Sequence, residues 1–230
     1  MSEFTGLPAD FFPFFEALAE NNNRPWFEEN KDRFRKTVQD PLLAFVEAIG
    51  PKLKKVSPHY VADARRNGGS VFRIYRDVRF SKDKSPYKTH AAVHLRHARG
   101  KDAHTPGFYL HLAPDEIFMG GGIWMPPAPA LLQIREAIRD EPELWNRTVN
   151  GKAFKNRFGS LRGDALTRPP RGFDKDDPHI DHIKHKSFFA MRALDRADVQ
   201  TKSLLTVAEQ TMKGASPLIK FLCDALDVPF

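Results

Sequence analysis

The sequence predicts an α+β fold, with a central antiparallel sheet flanked by N-terminal and C-terminal helical layers. Three observations carry that expectation. Apolar side chains recur every three or four residues up to Leu53, alternate with polar ones over residues 70–124, and return to helical spacing from residue 128 onward. Helices, then hairpin-spaced strands, then helices again is the order expected when helical layers segregate from an antiparallel sheet. With 230 residues, 41% hydrophobic and 28% charged, the chain can bury a core without disulfides or metal staples. It contains no internal repeat, low-complexity tract or linker, so one domain over residues 1–230 is expected.

The first helix is expected to start at Asp10 as cap, with Pro13 in the opening turn and Phe11, Phe15, Leu18 and Ala19 on one face. Asn23 is the candidate cap of a second helix, with Pro25 in its first turn and Trp26, Phe27, Asn30 and Phe34 facing inward. Pro41 is expected to open a third, packed through Leu42, Phe45, Val46, Ile49 and Leu53.

In SVFRIYRDVRF (residues 70–80) alternation predicts a strand with Phe72, Ile74, Val78 and Phe80 toward the core, bent or ended near Arg76. SKDKSP reads as a turn. THAAVHLRH then points Ala91, Val93 and Leu95 inward and His90, His94 and Arg96 outward; KDAHTPG is a second turn. GFYLHLAP offers Phe108, Leu110 and Leu112 to the core and Tyr109 and His111 to the other side, and EIFMGGGIW supplies a fourth strand. Such a sheet has one packed face and one available. The available face is expected to carry Arg73, Tyr75, Arg79, His90, His94, Arg96, Tyr109 and His111. The three glycines from Gly120 match neither GxGxxG nor a P-loop, and a tight strand exit is preferred over a phosphate cradle.

APALLQIREAIRD and PELWNRTVN read as helices, and the Pro- and Gly-rich LTRPPRGFDKDDP as a loop. A short helix is expected from Asp177-Pro178, a last strand at SFFAMRAL, and closing helices over residues 198–212 and 217–226.

Lys and Arg number 36 against 29 Asp and Glu, a net +7. Residues 65–104 hold eleven of those cations and three acids, a local +8, so the rest of the chain sums to about −1. Arg, Lys and hydroxyl side chains in that density suit phosphate or carboxylate. The candidate ligand-binding residues are therefore Arg73, Tyr75, Arg76, Arg79, Lys82, Lys84, Tyr87, Lys88, Arg96 and Tyr109, with a phosphate-bearing or other anionic small molecule as the expected partner. The competing reading is an ion-pair lattice that pins a hairpin, although exposed pairs contribute only about 0–1 kcal/mol each. Interleaved Tyr75, Tyr87, Tyr109 and Trp124 leave nucleic acid as an alternative, bases stacking on rings while cations follow the backbone. A structural adaptor is the third reading.

Candidate catalytic residues are His94 and His111, able to face each other across adjacent strands, with Asp77 as a carboxylate nearby. No HExxH or GxSxG occurs, and no metal or cofactor is expected. His179, His182 and His185 recur too widely around a helix for one compact site. The lone Cys223, in the apolar segment LIKFLCDAL, allows no internal disulfide and reads as core, which suits a reducing cytosol. Glu3, Asp10, Glu16 and Glu20 precede the first cation, Arg24, the reverse of a secretory signal, and no apolar run is long enough to span a bilayer. A cytoplasmic protein is expected, its oligomeric state open.

FRIYRDVRFSKDKSPYKTH from Phe72 closely resembles the signature segment of the domain of unknown function 2461 family. NNNRPWFEENK, GFYLHL, GGGIWMP and RPPRGFDKDDPHIDHIKHKSFF resemble further blocks of that family, in its order, along nearly the whole chain. The resemblance implies one continuous domain and supplies no mechanism. It departs at Asp177-Pro178, where the family pattern has histidine before proline.

Overall fold

The computed structural model describes residues 3–100 and 105–230. Helix α1 (Phe11–Glu20) buries Phe11, Phe12, Phe14, Phe15 and Leu18, whose rings meet edge to face. Asp10 does not cap it. Its carboxylate instead accepts hydrogen bonds from Arg33 Nε (2.8 Å) and Nη2 (2.6 Å), tying the start of α1 to α3 (Lys31–Phe34). Asn23 does cap α2 (Arg24–Glu29), its Oδ1 accepting from the Trp26 amide at 3.0 Å.

The expected break at Pro41 is absent. α3 (Lys31–Phe34), a π-helical stretch (Arg35–Gln39) and α4 (Asp40–Val56) follow one another without a gap. Proline lacks the N–H that the Thr37 carbonyl would have used, and a widened turn just before it accommodates the missing bond.

Among the described residues five strands form one antiparallel sheet in the order β1 (Tyr60–Val61), β2 (Ala91–His97), β3 (Gly107–Leu112), β4 (Ile117–Ile123) and β5 (Phe188–Ala193). Four of the five expected strand segments are there, so the α+β expectation holds. The strand expected at residues 70–80 is not. Ser70 to Phe72 run beside β2, through a bridge between Val71 and Val93 and the bond from Phe72 N to Ala92 O (3.0 Å). The chain then leaves the sheet and doubles back on itself through a Tyr75–Tyr87 bridge. Asp77 and Asp83 accept from the Arg79 and Ser85 amides (3.3 and 2.9 Å), so side chains satisfy backbone that a strand would have paired. Phe80, expected in the core, is 95% exposed. The turn expected at KDAHTPG falls partly on residues 101–104, outside the described residues.

C-terminal to β4 come α5 (Ala128–Asp140), α6 (Pro142–Asn150), α7 (Lys152–Phe158), the short α8 (Ile180–Ile183), α9 (Arg196–Val199) and α10 (Ser203–Ala225). The two closing helices expected from Pro217 are one. α10 carries Leu204, Ala208, Met212, Ala215, Leu218, Ile219 and Leu222 fully buried along one face across the proline, and that continuous stripe outweighs the roughly 3 kcal/mol cost of an interior proline. α10 packs across β4 and against α4. It comes close because Gly121 faces it: a Cβ there would lie 3.2 Å from both Ala215 Cβ and Ile219 Cδ1. Cys223 is buried as expected, 3.5 Å from the Tyr60 hydroxyl, and burial pushes its thiol up to about 11. Among the described residues no helix is long and apolar enough to cross a membrane. The outer side of β5 bridges to Arg162, whose amide donates to Phe189 O at 2.7 Å.

Candidate functional site

The face of the sheet turned away from α10 is organised in rows by strand register. Arg96, Gly107, Gly122 and Phe189 stand side by side in one row; His94, Tyr109, Gly120 and Met191 form the next; Ala92, His111, Phe118 and Ala193 form the third. Three glycines therefore fall next to one another in the middle of the face. Gly122 takes φ +150°, and a Cβ on it would lie 2.2 Å from Phe188 O. On Gly120 it would lie 1.9 Å from Ala190 O, and on Gly107 2.5 Å from His94 Nε2. The triple glycine expected as a strand exit instead lies inside β4, two of its members facing the open side.

Bare backbone flanked by bulky side chains makes a cleft of about 470 Å³. Its floor is Gly107, Gly120 and Gly122, and Phe72, Tyr109, Phe118, Trp124, Phe189 and Met191 stand around it. Trp124 lies against Phe189 with ring centroids 5.4 Å apart and is 57% exposed, so its indole forms part of the lip. The cleft's size and apolar character fall within the range of small-molecule sites.

Few polar groups reach it. His94, 7% exposed, stacks parallel to Phe72 at 6.2 Å. Burial, helped by the charge of Arg96, pushes its imidazole down to about 4, so it is neutral at pH 7. The Tyr109 hydroxyl lies 3.4 Å from His111 Nδ1, and His111 in turn packs on His90 at 4.5 Å and on Phe118 at 4.8 Å. Burial lowers His111 and drives His90 down to about 4. Thr105 and Glu116 complete the lining. Glu116 precedes β4 and lies beyond the Phe118 row, at the end of the strands opposite Arg96.

Of the three candidate catalytic residues, His94 and His111 share this face with Tyr109 between them, and Asp77 does not join them. Its carboxylate accepts from Arg79 Nε (3.0 Å) and Nη2 (2.7 Å) in the exposed loop, and those bonds hold it down at about 2. Among the described residues no group of three or more His, Cys, Asp or Glu is placed to hold a metal ion.

Apart from Arg73, which is exposed and faces a different cleft beside the N-terminal helices, the expected cations divide into two sets. Arg76 pairs with Asp83, Arg79 pairs with Asp77, Lys84 Nζ donates to Val78 O (3.0 Å), and Lys82 is exposed, all within the loop of residues 73–88. The Ser85 hydroxyl and amide, then Arg76, hold the Asp83 carboxyl far below its usual range. The remaining set borders Phe72: Lys88 Nζ lies 5.2 Å and Arg96 Cζ 5.6 Å from its ring centroid. Lys88 Nζ also donates to Arg73 O at 3.0 Å, and burial lowers its ammonium. Arg96 Nε is buried with no hydrogen-bond partner among the described residues. Tyr87 is buried against Phe27 at 4.1 Å, and Tyr75 is half-exposed beside it.

The family model described as "Conserved hypothetical protein (DUF2461)" matches residues 10–221. The chain belongs to the DUF2461 family. No curated protein matches it. Three segments that carry the DUF2461 resemblance, those beginning at Phe72, Gly107 and Gly120, converge on the glycine-floored cleft.

Phe72, Phe118, Phe189, Met191 and the glycine floor were not among the expected site residues. A signal for the floor was present: Gly107 precedes Tyr109 and His111 by steps of two, and Gly120 and Gly122 follow Phe118 the same way. Phe72 carried the opposite signal, since alternation assigned it to the core.

Proposed function

We propose that this DUF2461 member binds a small ligand with a planar ring and an anionic substituent on the open face of its sheet. The observation that carries the reading is the side-chain-free strip of Gly107, Gly120 and Gly122 between aromatic walls. A flat ring laid on that strip would contact backbone from below and Phe72, Tyr109, Trp124 and Phe189 around its edge. The anionic group would lie toward the Phe72 end, where Arg96 and Lys88 supply positive charge and Arg96 Nε lacks a partner among the described residues. Glu116 disfavours an anion at the other end. If the ligand is turned over, neutral His94 is the group able to accept a proton, with the Tyr109 phenol as donor. The site is read as part of one domain, and the buried thiol of Cys223 suits a cytoplasmic setting.

The test is calorimetric titration with naphthalene sulfonate, a flat ring with one negative charge. One molecule per chain is expected, bound about tenfold more weakly by Arg96→Met and lost in Met191→Trp, which fills the cleft. Stoichiometric binding that Met191→Trp leaves unchanged would refute the assignment.

One observation favours a second reading, single-stranded nucleic acid. Phe80 stands 95% exposed with the Arg79 guanidinium 5.8 Å from its ring, next to Lys82 and Lys84. Base stacking on Phe80 would give affinity for an oligonucleotide that falls log-linearly with salt and drops in Phe80→Ser. Binding that neither salt nor Phe80→Ser alters would exclude it.

A further inference from the structure

A second cleft, of about 420 Å³, opens between the N-terminal helices and residues 66–75. It shares only Phe72 with the glycine-floored cleft. Its chemistry is different. Among the described residues four cations line it, Lys31, Arg35, Arg66 and Arg73, and no Asp or Glu does. Beneath them lies an apolar floor of Phe15, Phe34, Val38, Leu42 and Ile74. The π-helical stretch forms one wall, and its wider turn puts both Arg35 and Gln39 on the cleft side. Such stretches are rare and often sit at functional sites.

The cations are held lightly. Lys31 pairs with Glu28 at 2.8 Å, Arg35 with Asp32 at 3.2 Å and Arg66 with Asp40 at 2.8 Å, and the three acids are 59%, 82% and 47% exposed. Exposed pairs of this kind hold so weakly that turning a cation onto a ligand costs little. Arg66 Nη1 also donates to Gln39 Oε1 at 2.8 Å, which places its guanidinium over the π-helical wall. Arg73 makes no ion pair among the described residues; Asp77, which feels its charge, is itself taken by Arg79. A small hydrated anion would satisfy the rim and leave the floor in water. A neutral apolar ligand would do the reverse. Only a molecule with both parts matches both surfaces.

We propose that this cleft binds an anionic amphiphile, its phosphate or carboxylate head held by Arg66 and Arg73 with Arg35 and Lys31 beside them, and its hydrocarbon tail lying over Phe15, Phe34, Val38 and Leu42. The head is read by charge and forked donors, the tail by apolar area.

Titration calorimetry on the full chain, below the micelle threshold, with octyl, decyl and lauryl phosphate tests it. Affinity is expected to rise about tenfold for each added pair of methylenes. Arg66→Ala and Arg73→Ala, at exposed positions, are each expected to weaken lauryl phosphate about tenfold, while Arg79→Ala in the neighbouring loop leaves it unchanged. Lauric acid should bind and lauryl alcohol much more weakly. The proposal fails if lauryl alcohol binds as well as the phosphate, if chain length has no effect, if inorganic phosphate binds as tightly as octyl phosphate, or if neither arginine variant weakens binding. Met191→Trp is expected to leave lauryl phosphate binding intact, which separates this site from the one on the glycine strip.

Discussion

Gly107 and His94 should behave as a coupled pair. A methyl at residue 107 would sit 2.5 Å from His94 Nε2 and 3.2 Å from His94 Cδ2 and Leu95 O. The first distance cannot be tolerated, so in Gly107→Ala the imidazole must swing away from its stacking on Phe72. Overpacking of this kind costs about 1–3 kcal/mol. Once His94→Ala removes the ring, the nearest remaining atom is Leu95 O at 3.2 Å, and a strand-interior Gly→Ala exchange brings back about 0.5–1 kcal/mol of chain entropy. Adding the methyl should then be close to neutral, giving a coupling energy of about 1–3 kcal/mol between the two positions. Urea unfolding of wild type, both single variants and the double variant measures it, with m-values compared to exclude a change in the denatured state. Additive effects within about 0.5 kcal/mol would refute the reasoning, because the floor would then have room that the geometry denies it.

Acid should destabilise the protein through its buried imidazoles. His90, His94 and His182 are held at about 4 mainly by burial, against 6.5 unfolded, so as pH falls from 6.5 toward 4 the unfolded chain takes up protons that the native one refuses. Stability contributed by the neutral rings is intact above pH 6.5 and lost across that window, on the order of 3 kcal/mol for His94 alone, and His94→Gln should flatten the slope of urea midpoint against pH. An unchanged slope in His94→Gln would count against the burial assigned to it. Pro217→Ala should raise the melting temperature, gaining up to about 3 kcal/mol as the Lys213 carbonyl regains a donor, and a fall on calorimetry would show that the proline fits its helix better than geometry implies. Phe80→Ser should leave the urea midpoint within about 0.5 kcal/mol of wild type, since the ring buries almost nothing.

The parts of the fold that were legible in sequence are those where local chemistry and tertiary packing agree. Asn23 caps its helix because nothing competes for its carbonyl oxygen. Alternation places Val93, Leu95, Phe108 and Leu110 in the core because all four fall on the packed face of the sheet. Asp10 has the right residue type for a cap, but the bidentate Arg33 of α3 takes its carboxylate. Residues 70–80 alternate like a strand, yet Asp77 and Asp83 close local turns that no alternation pattern records. β1 is two residues long and too short to carry any period. Proline misled at residues 41 and 217 because a missing N–H is only a local penalty: the π-helical turn absorbs it before Pro41, and the buried stripe of α10 outweighs it at Pro217. For the candidate site, alternation turned His94, Tyr109 and Arg96 outward, and Lys88 entered only as one of the hairpin cations. Their partition from the loop cations was not legible, because it depends on where Phe72 goes once the chain leaves the sheet.

A sheet left bare on one face invites a different hazard at its sides, where unpaired amides can template another chain. At one margin this protein presents only Tyr60 and Val61. At the other, the reciprocal bonds between Arg162 and Phe189 use up the outward amide and carbonyl beside the cleft. Trimming both margins in this way lets the molecule keep one sheet face open without offering itself as a seed for fibrils.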